Sequence, residues 1–529
     1  MRTAGDQILP ERFARRPTTA LRSSGRRALA VVLQICRSML TVECAGLTTR
    51  RKDPRGDAVF AGTADLVIEG GTVVTDAWSK RAAVVVVGGR IQAIIDTAEE
   101  AAQIPAVRRI DATARLVIPG GVDPHCHVGI RVGSYTTLDT YASASLAALA
   151  GGTTTIIDFA IPGPGGDPLE ALDERMSFAR TSRCDYAEHG CINGPTSSIA
   201  ATARALADAG VRTIKLFTTY RGILMVDTDT IAAVMAALSD VGGLTYVHAE
   251  ANDLVEQSQQ RAVNAGRIGA AGHAATRPEA AEERAVADVL GAAERTNAAV
   301  YFVHQSTPGA IDLVQAARAR GLHAFTESCP HYLTLDDSRY RSAHPERWVC
   351  CPPLRSRQTV DALDARGEMG LIDTVGSDNC CYDSAQKAER ADDVREMPNG
   401  LPGVETRLPV IFDRFVATGR ITPERFVAMV ATNPARLNGL YPRKGTIAVG
   451  SDADVVIYDP QASRTVSAAE LHMETDYSPY EGLSIIGWPN TVIAKGRVVV
   501  DDGQLIDPGP VGEFIAAEAM HPPYLPRPS

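Results

Sequence analysis

Aromatic residues are scarce in this chain, 5% of the total with three tryptophans, and no apolar run approaches the roughly 18 residues that cross a bilayer. The missing span argues against a membrane transporter. Basic charge is also short: 53 Lys and Arg against 63 Asp and Glu leave a net charge of -10, where a nucleic-acid binder carries a basic footprint. The ten cysteines are scattered, adjacent only at Cys350-Cys351 and Cys380-Cys381, with no repeated CxxC. That pattern lacks a secreted disulfide framework and fits a reducing, cytoplasmic location. No GxGxxG opens a helix after a strand and no GxxxxGK[ST] occurs, so nucleotide binding has no support.

What the chain does have is apolar material, 45% hydrophobic against 22% charged over 529 residues, the balance of a globular protein longer than one ordinary domain. Residues 1–60 stand apart, with twelve Lys or Arg, few acids, and one apolar stretch from Ala28 to Leu47 interrupted by Arg37 and Glu43. That stretch starts late and has no clean small-residue cleavage site, so the expectation is a basic, disordered extension rather than an export signal. From Ala64 the sequence turns to short β-branched runs closed by glycine pairs, such as Asp65-Leu-Val-Ile-Glu-Gly-Gly71, and similar runs return at Ala453–Asp459 and Thr491–Gly503. Residues 61–115 and 441–505 are therefore expected to build one small β-sandwich from both chain ends, with 506–529 as a tail.

Residues 116–440 alternate short apolar runs with Ala-rich helical stretches. Candidate strands start at Leu116, Thr155, Thr213, Leu244, Ala299, His323 and Thr374, and helical spacing fills the gaps, as in Thr230–Leu238. Repeated βα units over such a length predict an α/β fold, a (β/α)8 barrel.

The unusual polar residues fall at or near strand ends, on the face where barrel enzymes assemble their catalytic groups. His125 and His127 share one side of an extended chain and suit a single metal ion, although an HxH also occurs by chance in exposed turns. Lys215, in Thr213-Ile-Lys-Leu-Phe217, points inward if Thr213 and Phe217 do; it then needs a partner or altered chemistry, unless it snorkels to solvent. His248 and His304 follow apolar runs and read alone as hydrogen-bonded core residues, and Asp378 reads alone as a cap. Together the six converge on one barrel mouth and support a metal site, binuclear, with a bridging water made nucleophilic near neutral pH.

At these residues the sequence resembles the amidohydrolase superfamily, specifically its hydantoinase and dihydropyrimidinase branch. The resemblance is carried by the segments Val117–His127, Ala150–Phe159, Ile214–Arg221, Val247–Glu250, Val303–Ser306, Glu327–Tyr332, Pro352–Arg355, Val375–Asp378, Met397–Gly400, Asn433–Arg436 and Lys444–Asp454. It implies two divalent ions, zinc in relatives. His125, His127 and Asp378 would hold one and His248 and His304 the other, bridged by Lys215 carboxylated to a carbamate. It implies hydrolysis of a cyclic amide, a hydantoin or dihydropyrimidine ring, to an N-carbamoyl amino acid by a metal-bridging hydroxide. Asp378 would carry the proton, Tyr220 stabilise the oxyanion, and backbone groups at Cys351 and Asn399 hold the ring's other amide. A loop from Val128 to Leu138 would cover the site, and relatives are usually tetramers, which implies a homotetramer. Two departures stand out: Cys351 replaces a frequent serine, and Asn379-Cys-Cys381 replaces a frequent His-Cys-Pro. Allantoinases and dihydroorotases share the metals, but the latter use an arginine two residues beyond the HxH pair, where this chain has Gly129. The non-catalytic dihydropyrimidinase-related proteins have lost ligands, and none is lost here.

Overall fold

The computed structural model describes residues 62–522, together with the backbone of two short antiparallel strands, Arg51–Lys52 and Ala58–Val59. The expectation of disorder for residues 1–60 otherwise lies outside the described residues. One compact unit starts at Thr63 and carries the whole barrel.

Eight parallel strands lie side by side in chain order: β1 (Gly121–Asp123), β2 (Thr153–Ala160), β3 (Asp185–Cys191), β4 (Thr213–Phe217), β5 (Leu244–His248), β6 (Val300–Phe302), β7 (Ala324–Ser328) and β8 (Thr374–Val375). Parallel neighbours require crossovers, and helices such as Pro168–Ala179, Thr228–Ser239, Pro308–Ala319 and Arg357–Glu368 supply them. Each begins where its sequence can satisfy the first free N–H groups: Asp167, Asp227, Thr307 and Ser356 accept from backbone nitrogens as N-caps. Outward residues Ile214, Leu216, Val247 and Val300 pack with helix residues Ile231, Val234, Val286 and Val289. Inward side chains form a column, with ring centroids 4.5 Å apart for Phe159 and His189, 4.4 Å for His189 and Tyr246, and 4.1 Å for Tyr246 and Tyr301. The interior is thus packed rather than a pore.

Two sheets outside the barrel combine both ends of the described chain. A four-stranded sheet holds Ala64–Glu69 and its neighbours, and a seven-stranded one joins Thr72–Val74 and Leu116–Pro119 to Val455–Thr465 and Ser484–Ala494. Leu66, Ile68, Val84 and Val86 of the first sheet share one buried cluster with Val73, Val117, Val455 and Ile493 of the second.

Three placements differ from the sequence expectation. Leu116–Pro119, expected to open the barrel, pairs instead with Val455–Tyr458 and Thr72–Val73, and the barrel opens with β1. An apolar strand suits either sheet equally, so pattern alone did not separate them. Strand β3, Asp-Tyr-Ala-Glu-His-Gly-Cys, has no apolar run and escaped notice, yet all seven residues are buried. Its polar groups are paired inside: Asp185 with Lys444 at 2.6 Å, Glu188 with Tyr141 at 2.5 Å, and His189 with Thr213 at 2.6 Å. The expected tail is bound through His521: Ile515 N donates to Tyr186 O, Ala517 N to Gly210 O and Met520 N to Gly242 O, and Ile515 is buried beside Val122 and Ile157. Among the described residues no helix is long and apolar enough to cross a membrane.

Candidate active site

The barrel closes at its mouth. Strands β1 and β8 meet through their continuations, where Cys126 lies opposite Asn379 and His127 opposite Cys380. Asp378 N donates to His125 O at 2.9 Å, and Ser377 donates to Asp123 and to His125 O, each at 3.0 Å. Gly376 permits this approach, since a Cβ there would lie 2.8 Å from His125 Cβ. The seam thus carries the HxH pair to Asp378.

At the seam three donor atoms form a triangle: His125 Nε2 to His127 Nε2 3.2 Å, His125 Nε2 to Asp378 Oδ1 3.1 Å, and His127 Nε2 to the same oxygen 3.4 Å. A tetrahedral ion about 2.0–2.1 Å from each donor separates its donors by about 3.3 Å, so the triangle has the size of a metal site. The tautomer suits the role. His125 Nδ1 lies 2.7 Å from Glu327 Oε1, so an N–H donated there leaves Nε2 free as a ligand. Burial first, then Lys215, pushes the His125 imidazolium well below the ordinary range, which keeps the ring neutral.

His248, at the end of β5, and His304, just past β6, meet edge to face with ring centroids 4.5 Å apart, and the His304 centroid lies 5.4 Å from that of His125. His248 Nε2 is 2.7 Å from Glu250 Oε2, which leaves Nδ1 for a ligand bond; His304 Nδ1 is buried with no hydrogen-bond partner among the described residues. The Glu250 carboxylate is itself paired with Arg277. Burial opposes ionisation there, but Arg277 and His248 hold its carboxyl down at about 2.

Lys215 occupies the inward register expected of it, opposite Tyr246 on β5, and is 1% exposed. Its Nζ makes no hydrogen bond or ion pair among the described residues and lies 4.9 Å from the Phe159 ring centroid and 5.3 Å from that of Phe217. Burial pushes its ammonium down to about 8 although Glu327 and Asp378 pull it up. A donor triangle, an orphaned imidazole nitrogen and an unpaired buried amine together fit a metal centre.

Tyr220, Cys351 and Asn399 line the same cavity of about 510 Å³ as the six residues above. Tyr220 sits with φ 66°, and His304 and Asp378 also have positive φ, at 39° and 49°. Such backbone is costly for these residues and gathers where a site over-determines it. The Arg277 guanidinium lies 4.9 Å from the Tyr220 ring centroid. Burial raises the Tyr220 phenol well above its ordinary range against the pull of Arg277, so it stays a protonated donor. Cys351 Sγ donates to Asn399 Oδ1 at 3.3 Å. The Val128–Leu138 segment is a hairpin, Arg131–Val132 pairing with Tyr135–Thr136, and Ile130, Val132 and Tyr135 line the cavity. Asn379 is structural: its amide donates to Asp139 at 3.2 Å and its oxygen accepts from Gly403 N at 2.9 Å.

The sequence reading gave no role to Glu327, Glu250 or Arg277. An acid two residues after His248 was a usable signal for Glu250. Glu327 and Arg277 reach the site only through the fold.

A barrel of this kind, with imidazoles and a carboxylate gathered at the strand ends, defines a class of metal-site proteins. A family model described as "Amidohydrolase family" matches residues 116–499, and the chain belongs to that family, in its hydantoinase and dihydropyrimidinase branch. A D-hydantoinase of Ralstonia pickettii is 37% identical over 455 residues, 85% of this chain and 98% of that protein. A dihydropyrimidinase of Rattus norvegicus is 35% identical over 460 residues, 85% of this chain and 88% of that one. Among solved structures, a D-hydantoinase superposes with a TM-score of 0.82 at 36% identity, covering 86% of this chain and all of its own, 100%. An L-hydantoinase (dihydropyrimidinase) from Arthrobacter aurescens gives 0.78 at 28%, covering 86% and 100%.

Proposed function

We propose that the chain hydrolyses the ring of a neutral cyclic ureide, a hydantoin or dihydropyrimidine, to an N-carbamoyl amino acid. The observation that carries this reading is the gathering of six groups on one cavity, with Lys215 buried there and unpaired among the described residues. His125, His127 and Asp378 would hold one divalent ion and His248 and His304 a second, zinc by the family resemblance, with carboxylated Lys215 between them. When bound, such ions supply a nucleophile from water near neutral pH and a Lewis acid for a carbonyl oxygen.

The chain's own residues do the rest. The Lys215 ammonium, its pKa lowered to about 8, gives up one proton to become the free amine; the amine adds to carbon dioxide, forms the N–C bond and releases a second proton, so that a cation becomes an anion. Asp378 takes a proton from the attacking water and returns it to the ring nitrogen as the C–N bond breaks. Tyr220 donates its O–H to the oxygen on which charge develops. Backbone groups at Cys351 and Asn399 hold the other amide, and the Val128–Leu138 hairpin covers the ring and limits its substituents. Gly129 offers no side chain to a ring carboxylate. A homotetramer and a cytoplasmic location belong to the same reading.

The test is turnover of metal-loaded protein on hydantoin, dihydrouracil, allantoin and dihydroorotate. Hydantoin or dihydrouracil should be fastest and dihydroorotate far slower. Dihydroorotate outrunning every neutral ring would overturn the reading.

A further inference from the structure

Lys387 stands outside the proposed donor set and touches the walls on which the ring would rest. It lies in the short helix Ser384–Glu389, is 0% exposed, and donates to Val349 O at 2.7 Å, Pro398 O at 3.0 Å and Gly400 O at 3.0 Å. An ammonium has three protons, and all three are used on carbonyls; no carboxylate bonds to it among the described residues. Those carbonyls belong to two segments, 349–351 and 397–400, that carry Cys351 and Asn399. The segments are joined twice more, by Gly400 N to Val349 O at 3.0 Å and by Cys351 Sγ to Asn399 Oδ1 at 3.3 Å. Behind them Cys380 N donates to Leu401 O at 2.9 Å, and a Cβ on Gly400 would meet Cys380 Cβ at 2.2 Å, so the strap packs closely against Cys380.

A trans peptide is planar, and its C=O and the N–H of the next residue point opposite ways. The Pro398–Asn399 peptide is trans, so fixing Pro398 O on the ammonium aims the Asn399 N–H away from Lys387. That N–H has no acceptor among the described residues, and Asn399 lines the cavity. A cation on the carbonyl also strengthens the N–H at the other end of the same peptide, since linked hydrogen bonds polarise one another. We propose that Lys387 is a positioning residue for ring recognition: it orients and polarises the Asn399 N–H, which receives the ring carbonyl that is not attacked. The inference rests on the cyclic-ureide reading above.

The experiment uses full-length, metal-loaded wild type and the variants Lys387→Gln and Lys387→Met. Kinetics on hydantoin and its 2-thio analogue are measured beside metal content and thermal unfolding. The variants should keep their metal while KM for hydantoin rises about tenfold or more, as for loss of one well-aimed hydrogen bond, and kcat falls less. Sulfur is the weaker acceptor, so the 2-thio analogue should raise KM in the wild type, and that penalty should shrink in both variants. A folded, metal-loaded Lys387→Gln enzyme with wild-type KM would overturn the inference and leave the activity standing. So would an undiminished 2-thio penalty, and so would a wild type that shows no such penalty, whether or not the variants fold. A wild type that opens neither hydantoin nor dihydrouracil would overturn the functional reading and this inference with it.

Discussion

Lys444 and Lys215 are each 1% exposed, one beneath the barrel where it meets the flanking sheets and the other in the barrel mouth. Lys444 Nζ is surrounded by carboxylates, Asp185 at 2.6 Å, Asp454 at 2.7 Å and Asp452 at 3.0 Å. Burial alone would lower its pKa, but Asp454, Asp185 and Asp452 outweigh that and raise it. Lys215 has no such partner among the described residues, and burial drives it down to about 8. The difference separates two uses of a buried amine. A lysine that stays charged brings its counter-ions with it; one left without them is poised to lose its charge or change its chemistry.

The largest test of the contrast is Lys215→Ala. Turnover should fall by at least about a thousandfold, as when one member of a catalytic unit is removed, and metal should be lost with it. Short carboxylic acids should restore part of the rate, measured with excess metal present. Lys215→Arg keeping wild-type turnover would remove the distinction between the two lysines. Tyr220→Phe comes next: kcat should fall about a hundredfold, the typical cost of one oxyanion donor, with metal content unchanged. Glu327→Gln should weaken metal binding by about 10- to 100-fold through a loosened His125, read by chelator competition. Lys444→Met should have the smallest effect on turnover, close to none in the folded fraction. Its cost falls on stability, about 3–5 kcal/mol because three carboxylates lose their buried partner, measured by denaturant unfolding.

The same contrast explains what could be read from the chain and what could not. β4 and β5 were legible because each joins an apolar run to one misplaced polar residue, Lys215 or His248. β3 was not, because its burial is paid for by partners far away in sequence: Lys444 is 259 positions from Asp185. Leu116–Pro119 was assigned to the wrong sheet because β-branched residues do not say which partner they take. The site's polar residues, ambiguous one at a time, together pointed to a metal site, and the role of each came from the family resemblance. Their geometry depends on the seam between β1 and β8, which closes over 254 positions from Asp123 to Ser377. Glu327 acts through a contact 202 positions away, on His125, so no local pattern announced it. The Lys387 contacts are nearer, 11 to 38 positions, but they go to backbone carbonyls that any residue supplies.

The central claim is that Lys215 is carboxylated and holds two ions. The direct measurement is carbon-13 NMR of the protein loaded with zinc and carbon-13 bicarbonate, with metal counted on the same sample. The account predicts a carbamate resonance and close to two ions per chain in the wild type, and loss of the resonance in Lys215→Ala. A wild type that binds two ions with no carbamate signal, or a signal that survives in Lys215→Ala, would contradict it.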